Sequence, residues 1–315
     1  MATNELRPLT LGELLDRAFR LYRRHFQVFV GIMVFPVGIA TFTNLLTLAI
    51  RNNWLGSGSD TAQSAGFRYW FWGADAIYWL VYSIALGAGT HAVAEAYLGR
   101  NPSVRGAYAA VRAKLWKVVG LVLNVGLRVM VVFSTAPLLL IYVGIPVASA
   151  MRPLIHPGRL TTIVINSIVG IVVLGSEALA VFFASRYAVS VPALVFENLG
   201  VQAAIRRAVY LTKGRRWQIL LATIFALLFA NIGVGLFEFP FRVAARVTAR
   251  SGHWQRLLSF AQVVSGGIGQ AMLGSLVIIV LALCYYDARI RKEAFDLQLM
   301  LASLERPSSV AAPLP

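Results

Sequence analysis

The sequence predicts an all-α membrane protein of six transmembrane helices, arranged as three hairpins that are each preceded by a cytoplasmic amphipathic helix at the interface. Three observations predict it. The 315 residues are 58% hydrophobic and only 13% charged, where a soluble domain carries about a quarter charged residues. Six apolar runs reach the ~20 residues needed to cross the hydrocarbon core. Basic residues gather in alternate connections between those runs.

The runs lie near residues 27 to 50, 70 to 98, 117 to 148, 162 to 187, 217 to 241 and 259 to 286. The third and fourth exceed the minimum, so tilt, kinks or extension beyond the bilayer absorb the excess. Pro137 and Pro146 are the kink sites expected in the third. Lys and Arg number five in the N-terminal segment, five in the 99 to 117 connection, six in the 186 to 216 connection and four in the C-terminal tail. The alternate connections hold two, two and four. This bias puts both termini in the cytoplasm by the positive-inside rule. The N-terminus lacks the order of a cleavable signal peptide, so the first helix is expected to stay as an uncleaved anchor. A net charge of +16 invites a nucleic-acid reading, but such proteins carry ordinary apolar content, and no nucleic-acid partner is expected. The single cysteine, Cys284, falls in an apolar run and reads as a buried, inert thiol.

A basic phrase precedes the first, third and fifth runs. Leu11, Leu14, Leu15, Ala18, Phe19, Tyr22 and Phe26 follow the i, i+3, i+4, i+7 rhythm of an amphipathic helix, with Arg17, Arg20, Arg23 and Arg24 on the other side. Thr10 and Glu13 make a capping box at its start. Such a helix is expected to lie flat in the headgroup layer with its arginines toward anionic lipid. Val104, Tyr108, Val111 and Leu115 repeat the stripe, as do Val201, Ile205, Ala208 and Val209, the latter beside Arg206 and Arg207. Ala107 leads Trp116 by nine positions, Ala208 leads Trp217 by nine, and Ala18 leads Phe26 by eight. A period of roughly 90 to 100 residues suggests internal duplication. The units are approximately 11–98, 103–187 and 200–286 of one membrane domain, 1–300, and residues 301–315 have the composition of a disordered tail.

The opening LRPLTLGELLDRAFRLYRRHF, the middle SVPALVFENLGVQAAIRRAVYLTKGRRWQIL and the closing YYDARIRKEAFDLQLM resemble the membrane-domain family of glycerophosphoryl diester phosphodiesterases, including its free-standing bacterial members. In some relatives this domain precedes a metal-dependent catalytic barrel. Here about 30 residues follow the last run, and a barrel needs at least about 200. The family's His-Arg-Gly catalytic start is also missing: Phe, Ala, Pro and Trp follow His25, His91, His156 and His253. The resemblance therefore implies a membrane domain without that activity.

No phosphate-binding loop, metal-ligand spacing or nucleophile elbow occurs, so neither enzymatic activity nor a cofactor is expected. The glycines of SGGIGQAMLG, Ser265 to Gly274, read as helix packing rather than a phosphate loop. Ionisable residues within the spans are the functional candidates. Arg128 and Glu177 both fall roughly 15 Å deep at about 1.5 Å per residue, and are expected to pair across their hairpin, as a structural clamp or as a gating pair. His91 and Glu95, four apart near the cytoplasmic interface, read as a hydrogen-bonded pair or a proton relay. Glu238 and Arg242 read as a local helix pair. Arg242, Arg246 and Arg250 line one face of an outer helix, where headgroup phosphates or solvent would meet them. Asp287 with Arg291, Arg289 with Glu293 and Lys292 with Asp296 extend the sixth helix beyond the bilayer.

The expectation is thus a multi-pass protein of the bacterial inner membrane, a noncatalytic scaffold or accessory protein. Its cytoplasmic arginines, Arg17, Arg20, Arg23, Arg24, Arg206 and Arg207, would engage anionic lipid and a possible protein partner. The alternative is a small-solute or lipid transporter built around Arg128 and Glu177.

Overall fold

The computed structural model describes residues 10–51, 65–139, 142, 159–247 and 252–293. Among them every regular element is helical, and six apolar stretches are long enough to cross a membrane. Helix α1 (Leu11–Arg24) opens on Thr10, whose amide donates to the Glu13 carboxylate at 2.8 Å while its hydroxyl accepts from the Glu13 amide, the capping box expected there. Next come α2 (Phe26–Arg51) and α3 (Ala65–Tyr97). Ser103 starts α4 (Val104–Arg112) by accepting from the Gly106 amide at 3.1 Å, and α5 (Leu115–Leu139) and α6 (Arg159–Ala184) follow. Pro146, a kink site expected in the third span, lies outside the described residues.

Two elements differ from the sequence reading. The fourth span breaks at a 3-10 turn, Ser185–Tyr187, and resumes as a separate helix, α7 (Ser190–Glu197). Pro192 cannot donate to the turn before it, so an unbroken helix is not available there. Asn198 ends α7 with φ 53°, a left-handed conformation that asparagine tolerates. After α8 (Val201–Thr212) and α9 (Arg216–Val247), the sixth span is likewise two helices, α10 (Gly252–Leu273) and α11 (Ser275–Glu293). They meet at Gly274, where a Cβ would stand 2.7 Å from the Gln270 carbonyl oxygen and 2.9 Å from Met33.

Protein covers the stripes of the short helices. Leu14 and Ala18 of α1, Ala107 and Val111 of α4, and Ala204, Ala208 and Leu211 of α8 are each at most 1% exposed. They share one core with Phe29 and Ile32 of α2, Ala88 and Ala92 of α3, Leu121 of α5 and most of α11. Helix α1 thus turns its apolar face to the bundle and not to lipid. Periodicity identifies the face that leaves water, but not what replaces the water.

The packing is cyclic. Helix α1 seats on α11, α4 on α2 and α3, and α8 on α5, α7 and the 3-10 turn. Helix α4 thus rests on its neighbouring spans α2 and α3, α8 on spans before it and also on α11, and α1 chiefly on the last. Ala18, Ala107 and Ala208, the alanines of the repeated phrase, lie buried at these seats, where a small side chain permits close approach.

Each seat also repairs a break in a span. Pro36 lies inside α2 and has no N–H, so the carbonyl of Ile32, four residues earlier, loses its helical donor. Tyr108 of α4 donates to that carbonyl at 2.7 Å. Tyr22 of α1 donates to the Met272 carbonyl beside the Gly274 break, and Thr212 of α8 donates at 3.2 Å to the Arg186 carbonyl in the 3-10 turn. Burial pushes the phenols of Tyr22 and Tyr108 up to about 12, so both retain the proton they donate. Irregular backbone within a membrane domain persists where protein groups satisfy it in this way.

Helices α9 and α10 pack closely through the glycines of the 265–274 stretch, as the sequence suggests. A Cβ on Gly269 would lie 3.1 Å from the Val234 Cα and from the Phe237 ring. Gly269→Ala is expected to push the helices apart and cost about 1–2 kcal/mol. Gly126→Ala, which would meet nothing within 4 Å, is the control. Equal thermal unfolding midpoints for the two variants would contradict the close contact.

Candidate functional site

A basic collar forms where α1, α4 and α8 meet the bundle. Because their apolar faces point inward, Arg20, Arg23 and Arg24 of α1, Arg105 and Arg112 of α4, Lys117 at the start of α5, and Arg206 and Lys213 of the α8 region are turned outward and exposed. Among the described residues of this end, Asp16 is the exposed carboxylate. Trp116 and Trp217 open α5 and α9 at 81% and 66% exposure, as amphipathic rings do at a membrane interface.

Under the collar lies a network absent from the sequence reading. Successive residues on a helix point about 100° apart, so Arg206 and Arg207 cannot face the same way. Arg207 turns inward. Its Nε donates to both carboxylate oxygens of Glu197, at 3.0 and 2.9 Å, and its Nη2 to Glu293 at 2.8 Å. Arg289 donates to Glu293 at 3.1 Å, and the Tyr285 hydroxyl donates to Glu197 at 2.7 Å. These side chains come from α7, α8 and α11, and the four charged ones are 17–25% exposed. Burial lowers the Arg207 pKa, but hydrogen bonds to Glu293 and Glu197 outweigh it and hold the guanidinium above its ordinary value. Two carboxylates and two guanidiniums balance in charge. The Asn198 turn brings Glu197 back toward α8.

Two lysines complete the end by meeting carbonyls in the last turns of short helices, where a cation is favoured. Lys114 donates to Val195 of α7 at 2.9 Å, and Lys292 donates to Tyr210 of α8. Beside them Tyr97 and Tyr286 stack at 4.6 Å with planes 5° apart, and the Arg17 guanidinium sits 5.0 Å above the Tyr97 ring.

Arg17 and Arg207 therefore leave the set of free lipid contacts: one covers an aromatic ring and the other is ion-paired. The Arg128–Glu177 pair does not form. Arg128 donates to Asn124 at 2.9 Å and reaches Gln202 of α8 at 3.5 Å, while Glu177 is exposed on α6. Side chains lean toward the N-terminus of their own helix. Helix α5 begins at the basic end and α6 finishes there, so Arg128 leans toward the collar and Glu177 away from it.

His91 and Glu95 share a face, but Nδ1 stands 4.0 Å from the carboxylate and finds no hydrogen-bond partner. Arg242 pairs with Glu238 on its own helix as expected, Arg246 is exposed, and Arg250 lies outside the described residues. Asp287 takes Arg291 at 2.9 and 3.0 Å, and the Arg289–Glu293 contact also forms. Asp296, the partner expected for Lys292, is outside the described residues. No group of three or more potential metal ligands occurs among the described residues. Comparisons of the chain with protein-family models, curated proteins and solved structures give no match.

Proposed function

We propose that this chain is a noncatalytic membrane scaffold of the bacterial inner membrane, with both termini cytoplasmic, whose basic collar holds anionic lipid headgroups or an acidic partner surface. One observation carries the reading. The three short helices bury their apolar faces in protein, while Arg20, Arg23, Arg24, Arg105, Arg112 and Arg206 stay exposed without an ion-pair partner among the described residues. A basic residue near an anionic leaflet contributes about 1 kcal/mol, and a rigid platform spares the cost of ordering it. The resemblance to the phosphodiesterase membrane-domain family fits this reading, because its free-standing members lack the catalytic barrel. Transport past Arg128 and Glu177, the alternative, loses the pair that motivated it.

Native mass spectrometry from nanodiscs of equal phosphatidylcholine and phosphatidylglycerol tests the proposal. The retained lipid should be enriched in phosphatidylglycerol, and changing Arg20, Arg23, Arg24 and Arg206 together to Gln should abolish most of that enrichment. Retention in proportion to the nanodisc composition would sink it.

A further inference from the structure

Away from the basic collar, α2, α9 and α10, with Tyr78 of α3, line a half-open cavity of about 580 Å³. Ligand sites commonly occupy ~300–1,000 Å³. Its floor and walls follow α2 from Val37 to Leu48, which is roughly 17 to 33 Å along the helix from Phe26 at about 1.5 Å per residue. The cavity therefore runs from the middle of the bundle to its far end.

Three primary amides line it: Asn44 of α2 and Gln262 and Gln270 of α10. With them are the hydroxyls of Thr41 and Thr47. Polar side chains between membrane helices usually bond across to a neighbouring helix. Among the described residues, these three amide side chains have no such partner. Asn44 is exposed and Gln262 and Gln270 are half-buried at this cavity, so their hydrogen-bonding capacity is not spent on packing against a neighbouring helix.

The charge in the lining is also particular. Glu238 reaches the cavity, and Arg242 pairs with it one turn away. The local charge is balanced, so an ion entering would lose its hydration without gaining a counter-charge. A wholly apolar guest would leave the amides unsatisfied. An amide presents a donor and an acceptor side by side, the pattern that neighbouring hydroxyls match.

We propose that this cavity is a binding site for a neutral, polyhydroxylated group, supplied either by a free sugar or polyol or by the uncharged sugar headgroup of a lipid. Asn44 grips it from the α2 wall and Gln262 from the α10 wall, while Gly266 and Gly267, where a Cβ would meet Glu238 and Thr41, let those two polar side chains lie against α10 at the edge of the cavity. The site is remote from the collar and independent of the scaffold reading.

The test uses the full chain in phosphatidylcholine nanodiscs. Glucose and mannitol probe the free solute through a saturable rise in thermal unfolding midpoint. Monoglucosyl diacylglycerol probes the headgroup through retention in native mass spectrometry, with diacylglycerol as reference. At least one class should bind, and the double variant Asn44→Leu, Gln262→Leu should weaken that binding tenfold or more. Without ligand the variant should unfold no lower than the native chain, because amides lacking a protein partner contribute nothing to the fold. Sugar binding alone identifies a solute site, and glycolipid binding alone a headgroup site. Saturable binding of neither class would overturn the proposal. So would binding untouched by the variant, or a ligand-free variant that unfolds several degrees lower.

Discussion

Arg207→Met is expected to destabilise the fold by about 2–4 kcal/mol, whereas Arg206→Met, one residue away, changes it by less than about 0.5 kcal/mol. The difference comes from what each guanidinium meets. Arg206 is exposed, whereas Arg207 spans two carboxylates, Glu197 and Glu293, on two other helices. Removing it leaves those acids beside each other with Arg289 as their remaining cation, in a site less than one quarter open to water. The range is set below that for a fully buried pair because water still reaches the rim. Thermal unfolding followed by tryptophan fluorescence measures both variants. Adding Glu197→Gln alone to Arg207→Met should recover much of the loss, since Glu293 and Arg289 then remain as a balanced pair. Equal losses for the two single variants would show that the network contributes nothing beyond surface electrostatics.

The second large effect concerns a bond made necessary by a proline. Tyr108→Phe is expected to cost about 1–3 kcal/mol, the usual penalty for stranding a buried carbonyl. The hydroxyl it removes donates to Ile32 at 2.7 Å, and Ile32 lacks a helical donor because residue 36 is Pro. In a Pro36→Ala background the new Ala N–H can take that carbonyl, so the same Tyr108→Phe change should cost less than about 0.5 kcal/mol. The coupling between the two positions, read from four unfolding curves, should therefore exceed about 0.5 kcal/mol. Additive effects would mean that the Tyr108 hydroxyl does not stand in for the donor that Pro36 lacks.

Features of short sequence range were legible. The capping box of Thr10 and Glu13, the pairs Glu238 with Arg242 and Asp287 with Arg291, and the six apolar stretches all follow from helical period and length. Features set by chain return were not. Glu197 and Arg207 stand ten apart across a turn, and Arg207 and Glu293 stand 86 apart, so no periodic rule joins them. Arg128 and Glu177 stay apart for a different reason: equal depth does not bring them together, because side chains on antiparallel helices lean in opposite directions. Pro36 carried a usable signal, since a proline in a span frees the carbonyl four residues before it. Which hydroxyl would arrive there depended on the cyclic packing, which the repeated phrase suggested without specifying.

That closure also sets a schedule for assembly. Roughly 250 residues separate the end of α1 from the start of α11, its seat. At a synthesis rate of about 5–20 residues per second, α1 is complete some 12–50 s before α11 exists. During that interval Leu14, Ala18 and Tyr22 form an apolar face on a nascent helix rich in arginine, for which the bilayer surface is the nearest cover. Helix α1 can take its seat only once α11 has been made, so closure of the bundle waits for the last helix.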